Sequence, residues 1–168
     1  LTSHIEPCIL GGFTAADDWA GDDVVTFDVI VRGGEILDGT GGEPFRADVA
    51  ITGDRIVALG QLQDAEAGRV IDASGMVVAP GFIDVHNHSD GWLLKEKNFR
   101  CKTLQGFATE VLMADGISYA PVDRHNWRQW VHYLRPLNGL SLQDYDGWET
   151  LEDYMQRLDG RTAQNVAT

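Results

Sequence analysis

Two histidines separated by one residue offer the clearest chemistry in this sequence. His86 and His88 follow the apolar run Phe82-Ile83-Asp84-Val85, and side chains two apart in an extended segment point to the same side. Two imidazoles aimed at one point are typical of a site for zinc or a similar divalent ion. Because a His-x-His pair also arises by chance, the elements around it must decide whether it binds a metal.

The residues that surround the histidines predict a parallel α/β arrangement. Pro80-Gly81 opens the apolar segment, which we interpret as a strand that reaches His86. Helix-like segments alternate with further strand-like ones after it, and this order predicts parallel βα units. In a parallel barrel the active site lies at the carboxyl ends of the strands, where the histidines would then stand. The predicted elements are helices over 92–99, 123–134 and 151–158 and strands over 107–113 and from 165 onward.

A small antiparallel β unit is predicted before this region, over residues 27–79. Its strand-like segments are rich in valine and isoleucine, and three pairs of turn-forming residues separate them. We place these turns at Gly33-Gly34, Gly53-Asp54 and Ser74-Gly75. Residues 1–25 lack such a pattern and are predicted to form a poorly ordered extension. The domain organisation is therefore an extension over 1–25, a β unit over 27–79 and parallel βα units over 80–168.

Composition excludes several classes of partner. The 168 residues include 26 acidic and 13 basic ones, a net charge of −13, whereas nucleic acids and anionic membranes attract basic surfaces. No apolar run reaches the roughly 18 residues of a membrane span. The two cysteines, Cys8 and Cys101, form no Cys-x-x-Cys pair, so we expect reduced thiols and a cytoplasmic location.

The segment from Asp72-Ala73-Ser74-Gly75 to Ala79-Pro80-Gly81-Phe82-Ile83-Asp84-Val85-His86-Asn87-His88 resembles the entry motif of the amidohydrolase superfamily. Within that superfamily the chain is most similar to the N-acyl-D-amino-acid deacylase, or D-aminoacylase, branch. The resemblance covers residues 27–168. Its further matches are Lys102 with Gln105-Gly106, Thr109-Glu110-Val111-Leu112, Gly116-Ile117-Ser118-Tyr119-Ala120-Pro121, the segment Trp148 to Tyr154, and Asn165-Val166-Ala167.

The resemblance implies a small β domain followed by the first βα units of a TIM-like metal-dependent hydrolase barrel, which is incomplete in this chain. It also implies that one or two divalent ions, zinc above all, activate water to hydrolyse the amide bond of a small N-acylated substrate. His86 and His88 match the first two metal-ligating histidines of the family. The later histidines and the general-base aspartate have no match, so we expect them beyond Thr168 and assign no catalytic residue here.

One position departs from the pattern of the branch. Deacylases of this kind often carry Asn-Cys-Gly, with the cysteine as a metal ligand, where this chain has Ala114-Asp115-Gly116. Asp115 is therefore a candidate third ligand, and a carboxylate is a harder ligand than a thiolate. An aspartate before glycine is also a common turn residue, and the sequence favours neither interpretation.

Other readings of the sequence remain open. A hydantoinase- or dihydroorotase-like cyclic amidase shares the entry motif, and a non-catalytic, degenerate homologue would share it too. We expect His125 and His132 to be surface or helix-packing residues and Cys101 to be a packed thiol. Asp90 resembles an acidic position of the branch and is given no role. The helical stripe of Trp127 and Trp130 is interpreted as core.

Overall fold

The computed structural model describes residues 26–168, which fall into two compact units. The first ends at Pro80, and the second spans Gly81–Thr168. The predicted extension over residues 1–25 lies outside the described residues. The strands and helices, in chain order, are β1 (Thr26–Ile36), β2 (Phe45–Thr52), β3 (Arg55–Gly60), β4 (Glu66–Asp72), β5 (Val77–Val78), β6 (Phe82–Asp84), α1 (Asp90–Lys95), α2 (Arg100–Thr103), β7 (Phe107–Val111), α3 (Trp127–Asn138), α4 (Leu151–Leu158) and β8 (Asn165–Ala167).

The first unit is a β sheet of mixed rather than purely antiparallel type. Its strands lie in the order β3-β2-β1-β4, and β5 also pairs with β1. The pairings of β1 with β2 and of β2 with β3 are antiparallel, as predicted, whereas β4 and β5 both lie parallel to β1. The Ser74-Gly75 turn is present, but it leads from one parallel neighbour of β1 to the next instead of folding a hairpin.

The predicted turn at Gly33-Gly34 is wrong, and the one at Gly53-Asp54 is confirmed. β1 continues through Gly33-Gly34 as one strand with an irregularity in its pairing with β2. Gly33 has a φ of +75°, a conformation that glycine adopts without steric cost, and its N–H donates to Asp48 Oδ1 at 2.7 Å. The two glycines therefore form a bulge within β1 rather than a turn that ends it. The strand can continue because the Gly33 N–H still has a partner on β2.

The second unit contains three parallel strands in the order β6-β7-β8, with helices between them. This confirms the predicted α/β fold with the first βα units of a barrel. Its core packs helices on the loops that follow the strands, and the largest fully buried side chains include Trp148, Tyr119 and Tyr154. The Trp148 indole Nε1 donates to the carbonyl of Tyr119 at 2.9 Å, so the polar group of this buried ring is satisfied.

The helices agree with the sequence in kind but differ at their ends. Of the predicted helix over 92–99, only 92–95 are helical, as part of α1, and the short α2 begins beyond it at Arg100. Helix α3 starts at Trp127 rather than 123, because Asp123 Oδ1 accepts the N–H groups of His125 and Asn126 in a preceding turn. Helix α4 spans the predicted residues. No helix within residues 26–168 is long and apolar enough to cross a membrane.

Two side chains of the second unit set the precise start of α4. Thr150 and Asp153 form a reciprocal capping box at the start of α4, as the sequence predicts.

On α3, Val131 and Leu134 are buried, while Trp130 is 37% exposed. Trp127 is half-buried and packs against the core, so the interpretation of the tryptophan stripe as core holds for Trp127 and is wrong for Trp130.

Candidate metal centre

The histidine pair lies in the loop that follows β6. The strand ends at Asp84, so the prediction of a strand reaching His86 is wrong. Two side chains close local turns in this loop: Asp84 Oδ1 accepts the His86 N–H at 3.2 Å, and Asn87 Oδ1 accepts the Ser89 N–H at 3.1 Å. These turns, rather than strand geometry, bring the two imidazoles together, with ring centroids 5.9 Å apart.

Asp115 lies in the corresponding loop after β7, within a single 3₁₀ turn over Ala114–Gly116. Its φ is +60°, and that of Met113 is +64°. Aspartate tolerates this left-handed conformation better than most residues. Methionine has no such preference, and non-glycine residues held in this region cluster at functional sites. The loop therefore holds the Asp115 carboxylate in a conformation that the surrounding structure must enforce.

The structure brings the three sequence-predicted ligands into one cluster. Each of His86, His88 and Asp115 offers a ligand atom, and these atoms all lie within 4.8 Å of one another. The Nε2 of His86 is 2.9 Å from Asp115 Oδ2. Ligands about 2 Å from a tetrahedral ion lie roughly 3.4 Å apart, a spacing that small side-chain rotations would reach. Two imidazoles and one carboxylate are a donor set that suits zinc.

The buried side of His88 adds a second observation. His88 is half-buried, and its Nδ1 has no hydrogen-bond partner among the described residues. A buried ring nitrogen without a partner costs free energy unless something else satisfies it. His86 and Asp115 are exposed, so the cluster opens to solvent on one side, as a site that must admit an ion and a substrate requires.

An ion pair lies directly beneath the histidine loop. Lys102 from α2 donates to Asp84 Oδ2, and the two side chains are only 21% and 15% exposed. Burial raises the pKa of Asp84, but the hydrogen bonds from Lys102 and from the His86 N–H outweigh it and leave this pKa below its ordinary value. Asp84 is therefore anionic at neutral pH. The sequence singled out Lys102 only by resemblance, and its contact with Asp84 becomes visible in the structure.

Two buried carboxyl groups near the site were missed as functional candidates. Asp90 at the start of α1 and Glu110 on β7 are both fully buried, and burial raises the pKa of each. Asn138 Nδ2 donates to Asp90 Oδ2 at 2.9 Å, and the Tyr154 hydroxyl donates to the Asp90 carbonyl at 2.8 Å. The available signals were the resemblance of Asp90 to an acidic position of the branch and a glutamate in the middle of the strand-like segment 107–113.

The remaining histidines and cysteines lie away from the cluster or outside the described residues. His125 and His132 are exposed, as expected, and neither belongs to the cluster. Cys101 is exposed, so the expectation of a packed thiol is wrong. Its helix α2 is a single turn with no buried residue. His4 and Cys8 lie outside the described residues.

Comparison with known proteins places the chain in a family. The amidohydrolase family matches residues 69–166, more than half of the chain. D-aminoacylase from Alcaligenes xylosoxydans xylosoxydans is 40% identical over 141 residues, which are 84% of this chain and 27% of that protein. The chain belongs to the amidohydrolase family. Its similarity to the deacylase branch, predicted from the motif matches over residues 27–168, is confirmed.

Two solved structures share the fold of the described residues. D-aminoacylase, with a binuclear metal centre described as activated by one metal and attenuated by a second, superposes with a TM-score of 0.67 at 40% identity, covering 83% of this chain and 28% of that one. N-acyl-D-glutamate deacylase from Bordetella bronchiseptica, complexed with zinc and a phosphonate mimic of the tetrahedral intermediate, gives 0.67 at 34% identity, covering 84% and 29%. The chain thus spans about a quarter of these relatives, which agrees with an incomplete barrel.

Proposed function

We propose that the complete protein containing this chain is a metal-dependent hydrolase that cleaves the linear amide bond of N-acyl-D-amino acids. The single observation that carries this proposal is the convergence of His86, His88 and Asp115 at the carboxyl ends of two parallel strands. Family membership and the 40% identity to D-aminoacylase support the reaction type. The named relatives act on N-acyl amino acids, which favours a linear over a cyclic amide.

In this proposal His86, His88 and Asp115 hold a divalent ion, with zinc as the first choice. The donor set and its spacing fit such an ion, as does the buried Nδ1 of half-buried His88, which has no hydrogen-bond partner among the described residues. When bound, the ion supplies a Lewis acid that polarises the substrate carbonyl and lowers the pKa of a water molecule. The number of bound ions, one or two, depends on further ligands. We expect these ligands, and also the general-base aspartate, beyond Thr168.

The chain's own residues prepare this site before any ion arrives. Asp84 fixes the backbone of His86, and Lys102 keeps Asp84 charged and in place. The His86 Nε2 and the Asp115 Oδ2 lie 2.9 Å apart, so these two donor atoms from different loops are already close together. The half-buried position of His88 limits water on one side of the cluster, which strengthens electrostatic interactions there.

The remaining partners and the location follow from charge and thiol content. A net charge of −13 disfavours nucleic acids and anionic membranes as partners, so we propose a small N-acylated molecule as substrate. The free, exposed thiol of Cys101 is compatible with a reducing compartment, and we propose a cytoplasmic location. Fractionation of cells that express the complete protein tests this location.

The decisive experiment compares substrate classes with the complete protein. We expect it to hydrolyse N-acetyl-D-amino acids, to lose activity on chelation and to regain it with zinc. Two comparison substrates are tested beside them: N-acetyl-L-amino acids, which have the opposite chirality, and hydantoins, which are cyclic amides. Turnover of hydantoins alone would replace the proposal with a cyclic amidase. Absence of both turnover and bound metal would show a non-catalytic homologue.

A further inference from the structure

Asn87, the residue between the two histidines, uses its side chain entirely on backbone groups. It is 6% exposed. Its Nδ2 donates to the carbonyl of Asp84 at 3.2 Å and to the carbonyl of Val111 at 3.2 Å, while its Oδ1 accepts the N–H of Ser89 at 3.1 Å. Both amide hydrogens therefore go to carbonyls. Only the nitrogen of the amide can face two carbonyl oxygens, so this network also fixes the orientation of the group.

The two carbonyls belong to the last residues of neighbouring strands. β6 ends at Asp84 and β7 ends at Val111, and the parallel pairing aligns Asp84 with Glu110. Regular backbone pairing between these strands stops at this point. The amide of Asn87 continues it by one step, joining the two strand ends through a side chain that satisfies a carbonyl on each.

The loops that leave these strand ends carry the proposed ligands. The Asp84 end leads into His86 and His88, and the Val111 end leads through Met113 to Asp115. The second loop contains two non-glycine residues with positive φ, a conformation that persists only where surrounding contacts enforce it. The bond from Ser89 closes a turn around His88. A single side chain thus touches the backbone on both sides of the cluster.

We propose that Asn87 is a positioning residue that sets the spacing between the histidine pair and Asp115, and so the affinity of the site for its divalent ion. This inference rests on the proposed metal centre. Asn87 does not touch the ion. It acts through the backbone of the two loops, since both of its donors anchor strand ends and its acceptor shapes the turn that presents His88.

The test uses Asn87→Asp in the complete protein. Aspartate has the same size and retains an acceptor for Ser89, but it loses both donors and places a carboxylate against two carbonyl oxygens. We expect the zinc affinity of the metal-free protein, measured by competition with a chromophoric chelator, to fall about tenfold or more. Without metal, amide hydrogen exchange over 84–89 and 111–116 should become faster, because the joined strand ends separate.

Two control variants distinguish positioning from general destabilisation. Asn126→Asp makes the same chemical change at an exposed turn where only the side-chain oxygen is used, as acceptor of the Asp123 N–H, and should leave zinc affinity unchanged. Leu158→Ala removes a buried side chain of α4 and should lower the melting temperature at least as much, again with unchanged zinc affinity. If Asn87→Asp does not fold, Asn87→Ser, which keeps one donor and one acceptor, takes its place.

The outcomes separate this inference from the proposed function. Wild-type zinc affinity in Asn87→Asp overturns the positioning role and leaves the hydrolase proposal standing. An equal loss of affinity in Leu158→Ala at a matched loss of melting temperature also overturns it, since stability alone would then explain the effect. If the wild-type protein binds no zinc, the proposed metal centre is wrong and the positioning role falls with it.

Discussion

The imidazole Nε2 of His86 lies 2.9 Å from the carboxylate Oδ2 of Asp115, although the two residues are on loops that follow different strands. They meet because β6 and β7 are adjacent and parallel, so that their carboxyl ends lie at the same edge of the sheet. Asp115 also has the left-handed backbone of a turn residue. The two interpretations left open by the sequence are therefore compatible, and mutation of Asp115 tests whether the carboxylate is a ligand.

Asp115→Asn separates the ligand role from the turn role. Asparagine also tolerates a positive φ, so the metal-free protein should keep its melting temperature. The neutral amide is a poor ligand for zinc, so we expect zinc affinity to fall by more than about tenfold. A loss of about tenfold is already typical when a residue that only hydrogen-bonds to a metal ligand is replaced. Asp115→Cys should retain or tighten zinc, because a thiolate is the softer donor. Unchanged affinity in Asp115→Asn would leave Asp115 as a turn residue only.

Replacing either histidine should lower metal content and activity together. His86→Ala and His88→Ala each remove one imidazole from a cluster whose ligand atoms lie within 4.8 Å. Elemental analysis of the purified complete protein and hydrolysis of an N-acetyl-D-amino acid measure the two effects. His125→Ala is the matched control, since His125 is exposed and outside the cluster. Full zinc occupancy and full activity in both variants would refute the metal centre.

Local patterns predicted the elements that depend on neighbouring residues. The capping box of Thr150 and Asp153 and the tight turn at Gly53-Asp54 need only contacts a few positions apart, and both were predicted from the sequence. The histidine pair was found because its spacing is a short motif. The prediction of a turn at Gly33-Gly34 was wrong because a pair of glycines can form either a turn or a bulge. The bulge forms here because β1 pairs with β2, a strand that lies further along the chain.

Features that depend on distant pairing could not be predicted in this way. The parallel placement of β4 beside β1 and the burial of Asp90 and Glu110 follow from which strands and helices become neighbours. The role of Asn87 is of the same kind. Its bond to Asp84 is local, but its bond to the carbonyl of Val111 exists only because β7 pairs with β6.

A tight approach between α1 and the end of α3 makes Gly91 sensitive to any side chain. A Cβ at this position would collide with the carbonyl of Asn138 and lie 2.8 Å from the backbone N of Leu140. We expect Gly91→Ala to destabilise the second unit by about 1–3 kcal/mol, the usual cost of overpacking. Gly42→Ala is the control, because its nearest neighbour would be Thr40 Oγ1 at 3.4 Å. Equal melting temperatures for both variants would show that the helices can separate at no cost.

The ion pair of Lys102 and Asp84 should make stability depend on pH in a defined direction. Lys102→Met keeps the apolar stem but leaves the carboxylate, which is only 15% exposed, without its cation. At pH 7 we expect the free energy of unfolding to fall by about 1–3 kcal/mol. Urea unfolding measures it, with Lys97→Met, an exposed lysine, as control.

The sign of the pH dependence follows from the lowered pKa of Asp84. A carboxyl group whose pKa is depressed by folding stabilises the protein fully above its ordinary pKa of 3.8, and this contribution is lost as the pH falls through the depressed value. The stability difference between wild type and Lys102→Met should therefore be constant from about pH 5 to 8 and shrink below about pH 4. A difference that persists or grows in acid would show that the Lys102 ammonium stabilises the fold through another contact, such as that with the ring of Phe107, whose centroid lies 4.9 Å from Nζ, and not through the charge of Asp84.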